Sequence, residues 1–263
     1  MKQTTIARSF SLRGLGIHSG KLSELTLKPA AAGSGIFFSK EGRTIPAFWE
    51  KVTDTRRGTT LGGIAVVEHL LSAVNGLGIN NLEIAVVGDE VPIMDGSALP
   101  FVEALRSAGL AEQELPVNYI EVAEPVKVTD GNSSLEALPF RGLKVDFMVD
   151  FPVVGQQRLV FEAHKDDYAH EIAPARTFGF IENHEELKSA GRGMGATLEN
   201  ALVIGKDGYI NQPRFPDEVV RHKILDLLGD ITLLGRPLQA ELRATRSGHK
   251  MNFELIRRLL ENG

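Results

Sequence analysis

From Phe215 to Gly235 the chain reads FPDEVVRHKILDLLGDITLLG, in which Val219, Val220, Ile224, Leu227, Leu228, Ile231 and Leu234 recur at helical spacing. Through this apolar surround runs a stripe of ionisable side chains at every fourth position: Glu218, His222, Asp226 and Asp230. The pattern predicts a long, largely buried helix. Ionisable groups on such a helix are costly unless something pairs with them, and a metal ion is one such partner.

Elsewhere the period changes along the chain. The first sixty residues read as short strands between glycine turns, with Leu25 and Leu27 alternating with Glu24, Thr26 and Lys28. Ile64, Val67, Leu70, Leu71 and Val74 then predict a helix ended by Gly76 and Gly78, followed by a strand from Leu82 and a helix over Pro100 to Ala108. Ala111 to Asn118 has the composition of a linker. In the second half, Leu143, Val145, Phe147, Val149 and Phe151 alternate with Lys144, Asp146, Met148 and Asp150, which predicts a strand with one buried face. An inserted stretch carries its own short helix, Glu182 to Ala190, before the long helix. A strand from Leu238 and a final helix bearing Leu255, Ile256, Leu259 and Leu260 complete the chain. Each half thus ends helix, strand, helix after a set of strands. We expect an α+β fold of two similar layered domains, residues 1–114 and 115–263, related by approximate duplication without a residue-level repeat.

Composition narrows the chemistry. A net charge of −5 provides no basic excess to neutralise a nucleic-acid backbone, so nucleic acid is excluded as the expected partner. The absence of cysteine removes disulfides, thiolate ligands and cysteine nucleophiles, leaving any metal to His and carboxylates. The opening MKQTTIARSFSLRG lacks the apolar run of a secretory signal, and no apolar stretch is long enough for a spanning helix. A cytoplasmic protein without a transmembrane segment is expected, and a monomer.

His222 and Asp226, one turn apart, offer an imidazole nitrogen and a carboxylate oxygen, half of a catalytic zinc site that ordinarily has three protein ligands. If the halves are duplicates, the helix corresponding to the long one carries Glu68 and His69. His69 is then the natural third ligand, and Glu68 is a base within reach of a water at the metal, which is hydrolase chemistry. Lys223 and His249 could bring positive charge to an oxyanion or leaving group, and Thr177 a hydroxyl donor. Plainer readings stand beside these. His69 suits a packed, hydrogen-bonded histidine, Glu68 a solvated carboxylate, and His222 with Asp226 an ordinary pair worth about 0.5 kcal/mol. Thr177 and His249 suit turns, and Asp95 with Gly96 a loop that starts the next helix. His164, His170 and His184, among charged neighbours, are expected to be exposed. Asp230 is expected to orient a neighbouring base, and Glu218 to be a charge at the helix N-terminus.

Six blocks in chain order give a more specific signal: GLGIHSG at Gly14, VEHLLSAVNGLGINNLEI at Val67, VPIMDGSALPFVEAL at Val91, ARTFGF at Ala175, VRHKILDLLGD at Val220 and SGHKMN at Ser247. In them the chain resembles the UDP-3-O-acyl-N-acetylglucosamine deacetylases, zinc amidases that commit a sugar nucleotide to lipid A. The resemblance implies two domains, each a sheet packed on helices, with the active site between them. It implies that His69, His222 and Asp226 hold zinc and that Glu68 is the general base; by its chemistry the same donor set suits iron(II) as well. Thr177 and Lys223 would serve the oxyanion, and His249 would act as general acid or electrostatic stabiliser with Asp230 behind it. It further implies an acylated UDP-sugar as substrate. Asp150 and Phe151 would lie by the uracil ring, Phe178 would lie among the substrate contacts, and residues 180–202, with Met194 and Gly195, would line an acyl passage. The family's basic residue near the turn Asp130 to Ser134 is missing here, and Arg246 is the candidate replacement. Met194 to Thr197 stands where Gly-Gly-Ser is more usual, and the strand pair before Glu68 is shortened at Gly62 and Gly63. The missing basic residue keeps in view an amidase of the same fold acting on another acylated sugar, and from a different class stands a metal-stabilised binding protein that captures acylated sugar nucleotides without hydrolysis.

Overall fold

The computed structural model describes residues 1–261. In the first half the strands are β1 (Lys2–Ile6), β2 (Phe10–Leu15), β3 (Leu22–Pro29), β4 (Ile36–Lys40), β5 (Arg43–Pro46), β6 (Val52–Asp54) and β7 (Thr60–Leu61). They are followed by α1 (Glu68–Gly76), β8 (Leu82–Val87), α2 (Leu99–Ala108) and β9 (Leu110–Pro116). The second half begins with β10 (Ile120–Glu121), β11 (Val126–Asp130), β12 (Ser133–Leu138), β13 (Leu143–Phe151) and β14 (Gly155–Glu162). An inserted region follows, with α3 (Tyr168–Glu171), β15 (Phe178–Phe180), α4 (His184–Ser189), β16 (Leu202–Gly205) and β17 (Gly208–Tyr209). The chain then forms α5 (Glu218–Ile231), β18 (Leu238–Thr245) and α6 (His249–Glu261).

The duplication expected from the element order is visible in the sheets. One runs β2-β3-β8-β4-β5 and the other β11-β12-β18-β13-β14, the same path in the same relative order. In each, the late strand inserts parallel to one neighbour and antiparallel to the other: β8 beside β4 and β3, β18 beside β13 and β12. The second sheet gains a further strand because β10 also pairs β18. Alternation drives both layers. Leu25 and Leu27 of β3, Val145, Phe147 and Val149 of β13, and Leu238, Ala240, Leu242 and Ala244 of β18 all point into the core.

Between the sheets, α1 packs along α5, with α2 against α1 and α6 against α5. The apolar residues of α5 are buried on every side, as the sequence pattern requires. Its C-terminal end tightens into a 3₁₀ turn at Thr232–Leu234 and is closed by Gly235 at φ 77°. No helix among the described residues is long and apolar enough to cross a membrane.

Two local expectations are corrected. Ala111 to Asn118 is not a linker: most of it is β9, paired antiparallel with β1. The alternating exposure of β9 marks an edge ribbon whose polar side chains mimic linker composition. The first helix begins at Glu68 rather than near Ile64. Ile64 is bridged to Leu61 and Ala65 to Glu90, and Val66 takes a positive φ of 59°, so the chain turns before it can wind.

Candidate active site and metal centre

Helix α1 approaches α5 closely because of one glycine. A Cβ at Gly229 would overlap the backbone carbonyl of Glu68, so only glycine lets the start of α1 rest on the last turn of α5. This contact sets Glu68 and His69 beside His222, Asp226 and Asp230, all of them buried.

Potential ligand atoms of His69, His222 and Asp226 lie within 4.8 Å of one another. The Nε2 atoms of His222 and His69 are 3.3 Å and 3.8 Å from Asp226 Oδ1, and the two rings meet edge to face. The Ala175 carbonyl lies 3.1 Å from His222 Nδ1, which fixes the proton there and leaves the Nε2 lone pair turned towards Asp226. Burial lowers the pKa of both imidazoles, that of His69 to about 3, so both are neutral, as ligands must be. Burial works to raise the Asp226 carboxyl, but Lys223, whose Nζ donates to Oδ2 at 2.7 Å, and the positive charge of His249 hold it below the ordinary range. Two neutral nitrogens and one carboxylate, converging and buried, are a donor set that fits a divalent cation.

Asp226 also belongs to a second group, with Glu68 and His249, again with ligand-type atoms within 4.8 Å. The solvated reading of Glu68 is therefore corrected. Its side chain is buried, Oε2 accepts the Thr59 N–H at 2.9 Å, and the absence of a side chain at Gly58 leaves room for Oε1. Burial first, and then the like charges of Asp226 and Asp230, raise its pKa to about 7 against the opposing pull of His249. His249, the first residue of α6, lies with Nδ1 2.7 Å from Asp230 Oδ2. Burial works to lower its pKa, but Asp230 and Asp226 outweigh this and raise it to about 9. Asp230 also accepts from Thr59 Oγ1 at 2.6 Å and from Asn252 Nδ2 at 2.8 Å.

Glu218 stands in the first turn of α5 as expected, and the structure adds what surrounds it there. It is wholly buried and forms a forked ion pair with Arg176: Nε donates to Oε1 at 2.9 Å and Nη2 to Oε2 at 3.2 Å. The same carboxylate accepts the backbone N–H groups of Arg176 and Arg214. It thereby staples the loop containing Ala175 and Thr177 to the start of α5, one turn before His222. Thr177 is half-buried in that loop, held through its backbone to Gly96 and Leu202. Phe178 meets His222 edge-on at 6.0 Å and also contacts Phe151, which in turn touches Phe180.

The remaining predicted residues lie further out. Asp150 and Arg246 form an ion pair with each other at the ends of β13 and β18. Met194 and Gly195 donate their backbone N–H groups to His18 and Ile17, which sets the inserted segment against the loop after β2; the Met194 side chain is exposed. Asp95 shapes its loop as expected, accepting from Ser97, and it also receives Arg214. His164, His170 and His184 are exposed. Sequence reading missed Thr59, Asn252, Arg176 and the Ala175 carbonyl. The only signals for any of them were that Ala175 and Arg176 belong to the ARTFGF block and Asn252 to the SGHKMN block.

The model of the family described as UDP-3-O-acyl N-acetylglycosamine deacetylase matches residues 3–261. A UDP-3-O-acyl-N-acetylglucosamine deacetylase of Myxococcus xanthus is 43% identical over 272 residues, covering 99% of this chain and 87% of that protein. Its namesake in Citrifermentans bemidjiense is 41% identical over 271 residues, covering 98% and 89%. The one in Nautilia profundicola is 41% identical over 269 residues, covering 99% and 92%. Matched over nearly its full length by the family model and by relatives at this identity, the chain belongs to the UDP-3-O-acyl N-acetylglycosamine deacetylase family.

Proposed function

We propose that this chain is a metal-dependent amidohydrolase that removes the N-acetyl group of UDP-3-O-acyl-N-acetylglucosamine, giving the free amine and acetate in lipid A biosynthesis. The observation that carries this reading is the sharing of Asp226 by two groups, His69 with His222 on one side and Glu68 with His249 on the other. A ligand set so placed has a base and an acid beside it, an arrangement that a binding protein has no use for.

His69, His222 and Asp226 would hold the metal, and zinc suits them, as does iron(II). A divalent cation bound there supplies Lewis acidity, polarising the amide carbonyl and making water more acidic. Glu68, with its pKa raised to about 7, takes a proton from the attacking water. Thr177 and the ammonium of Lys223 supply dipole and charge to the oxyanion. His249, protonated near neutrality by virtue of Asp230, gives a proton to the departing nitrogen as the C–N bond breaks. One water is consumed, and its hydroxyl ends in acetate.

Phe151, Phe178 and Phe180 offer an aromatic wall beside His222, and Ile181, Met194 and Leu198 present exposed apolar surface on the inserted segment for the acyl chain. Asp150 and Phe151 would meet the uracil and Arg246 the diphosphate. Cytoplasmic location and a monomeric state belong to this proposal and are checked by cell fractionation and light scattering. The deciding experiment is acetate release from UDP-3-O-acyl-N-acetylglucosamine by the metal-loaded protein. Binding without acetate would leave the non-hydrolytic alternative, and equal rates with the UDP group removed would favour another acylated sugar.

A further inference from the structure

Thr59 is fully buried just before β7 and touches both arms of the site. Its N–H donates to Glu68 Oε2 at 2.9 Å, and its hydroxyl donates to Asp230 Oδ1 at 2.6 Å, across 171 residues of sequence. Its carbonyl accepts the N–H of Val67 at the start of α1. Asp230 Oδ2 is left to accept from His249 Nδ1 at 2.7 Å and from Asn252 Nδ2 at 2.8 Å.

We infer that Thr59 is a positioning residue for the reaction: its backbone aims the Glu68 carboxylate while its hydroxyl fixes the rotation of Asp230, and through it the imidazole of His249. The inference rests on the proposed function for the roles of Glu68 and His249. The physical reason is the burial of Asp230. A carboxylate without access to water keeps the orientation that satisfies both oxygens, and the Thr59 hydroxyl is one of its three donors. Without it, Oδ1 is left unpaired and the carboxylate rotates to recover a bond from Asn252 or His249. A threonine that merely filled space would tolerate valine, which has the same branched shape.

The test is Thr59→Val, which keeps the backbone N–H to Glu68 and deletes only the hydroxyl. We expect kcat to fall on the order of 10- to 100-fold from imidazole misplacement, with KM and metal content within twofold of the parent. Thr59→Ser is expected to restore kcat. In an Asp230→Asn background the valine substitution should cost less than twofold, since its route of action is gone. An independent reading comes from metal-free protein, where the Nδ1 proton of His249, observed by NMR, should shift upfield in Thr59→Val and return in Thr59→Ser. If the valine variant does not fold, Thr59→Ala against Thr59→Ser carries the same comparison. Unchanged kcat, or a full loss that persists beside Asp230→Asn, would overturn the inference. A parent chain that releases no acetate would instead overturn the proposed function, and the imidazole proton would still decide whether Thr59 controls His249.

Discussion

Gly229 lies against the peptide of Glu68 so closely that a methyl group on it would run into the Glu68 carbonyl. This contact joins the two halves at the point where their ionisable residues converge. Gly229→Ala must therefore push α1 off α5 and draw His69 away from Asp226. We expect a loss of about 1–3 kcal/mol in stability, typical of forced overpacking, accompanied by weaker metal binding. Thermal unfolding and metal titration check the two effects; an unchanged melting temperature would mean that the helices yield freely.

Ligand and base substitutions should separate cleanly. His69→Ala, His222→Ala and Asp226→Ala each remove one member of the converging set and should lower bound metal to a small fraction of the parent value. Glu68→Ala should retain metal yet lose activity by about 10²- to 10⁴-fold, the usual contribution of a general base. Elemental analysis beside acetate release reads both. A Glu68→Ala variant with near-normal turnover would remove it from the role of base.

Metal removal should also be felt in stability. A cation held by three buried ligands binds the folded state and not the unfolded one, so excess metal at 100 times Kd adds about 2.7 kcal/mol. The chelated protein should melt several degrees lower and regain its melting temperature when zinc is restored.

What could be seen in advance had short-range signatures. The alternation of Leu143 to Phe151 and the all-round apolar pattern of α5 depend on neighbours within one element, and both appear as expected. The i, i+4 spacing of His222 and Asp226 brought them together for the same reason. His69 was harder: its link to α5 had to be argued through the duplication, because nothing local points from one helix to the other. Thr59 was invisible, since a threonine before a short strand has no signature until folding sets its hydroxyl beside Asp230. The place of Glu218 at a helix start was legible, but its partner was not, since only tertiary structure supplies Arg176. β9 failed for a similar reason, its partner β1 lying at the far end of the half.

The Arg176–Glu218 pair supplies a prediction about folding rather than chemistry. Breaking a buried pair by Glu218→Gln or Arg176→Met leaves an uncompensated charge or donors, and should cost about 3–5 kcal/mol. It should also free the loop that carries Ala175, loosening the carbonyl that orients His222 and weakening metal binding. Replacing both residues with apolar ones of similar volume should recover much of the stability but not the loop geometry. Equal losses in metal affinity and stability for single and double variants would argue against this separation.

Arg246 is held by Asp150, and the turn from Asp130 to Ser134 contributes no cation of its own sequence. If Arg246 meets the diphosphate, Arg246→Ala removes a charge-assisted hydrogen bond worth about 1.5–3 kcal/mol. This predicts a KM raised about 10- to 100-fold for the UDP-bearing substrate with little change in kcat. Lys250, 3.1 Å from Asp130, is the nearby cation to compare with it. An unaltered KM for Arg246→Ala would place the diphosphate elsewhere.

The pH dependence follows from Asp230, which acts on both working groups in the same direction. In its proposed role as base Glu68 works ionised, so activity should be lost as pH falls through its raised pKa, about 7. In its proposed role as acid His249 works protonated, so activity should be lost as pH rises through its own raised pKa, about 9. The negative charge of Asp230 raises the first by repulsion between like charges and the second by attraction. Asp230→Asn removes that charge, so both pKa values should fall and the whole bell should move to lower pH, with its height reduced by the weaker hold on the imidazole. A bound cation lowers both limbs in parent and variant alike, so the comparison is made at equal metal loading. A kcat/KM profile in which only the acid limb moved would show that His249 is not the group governing the alkaline side.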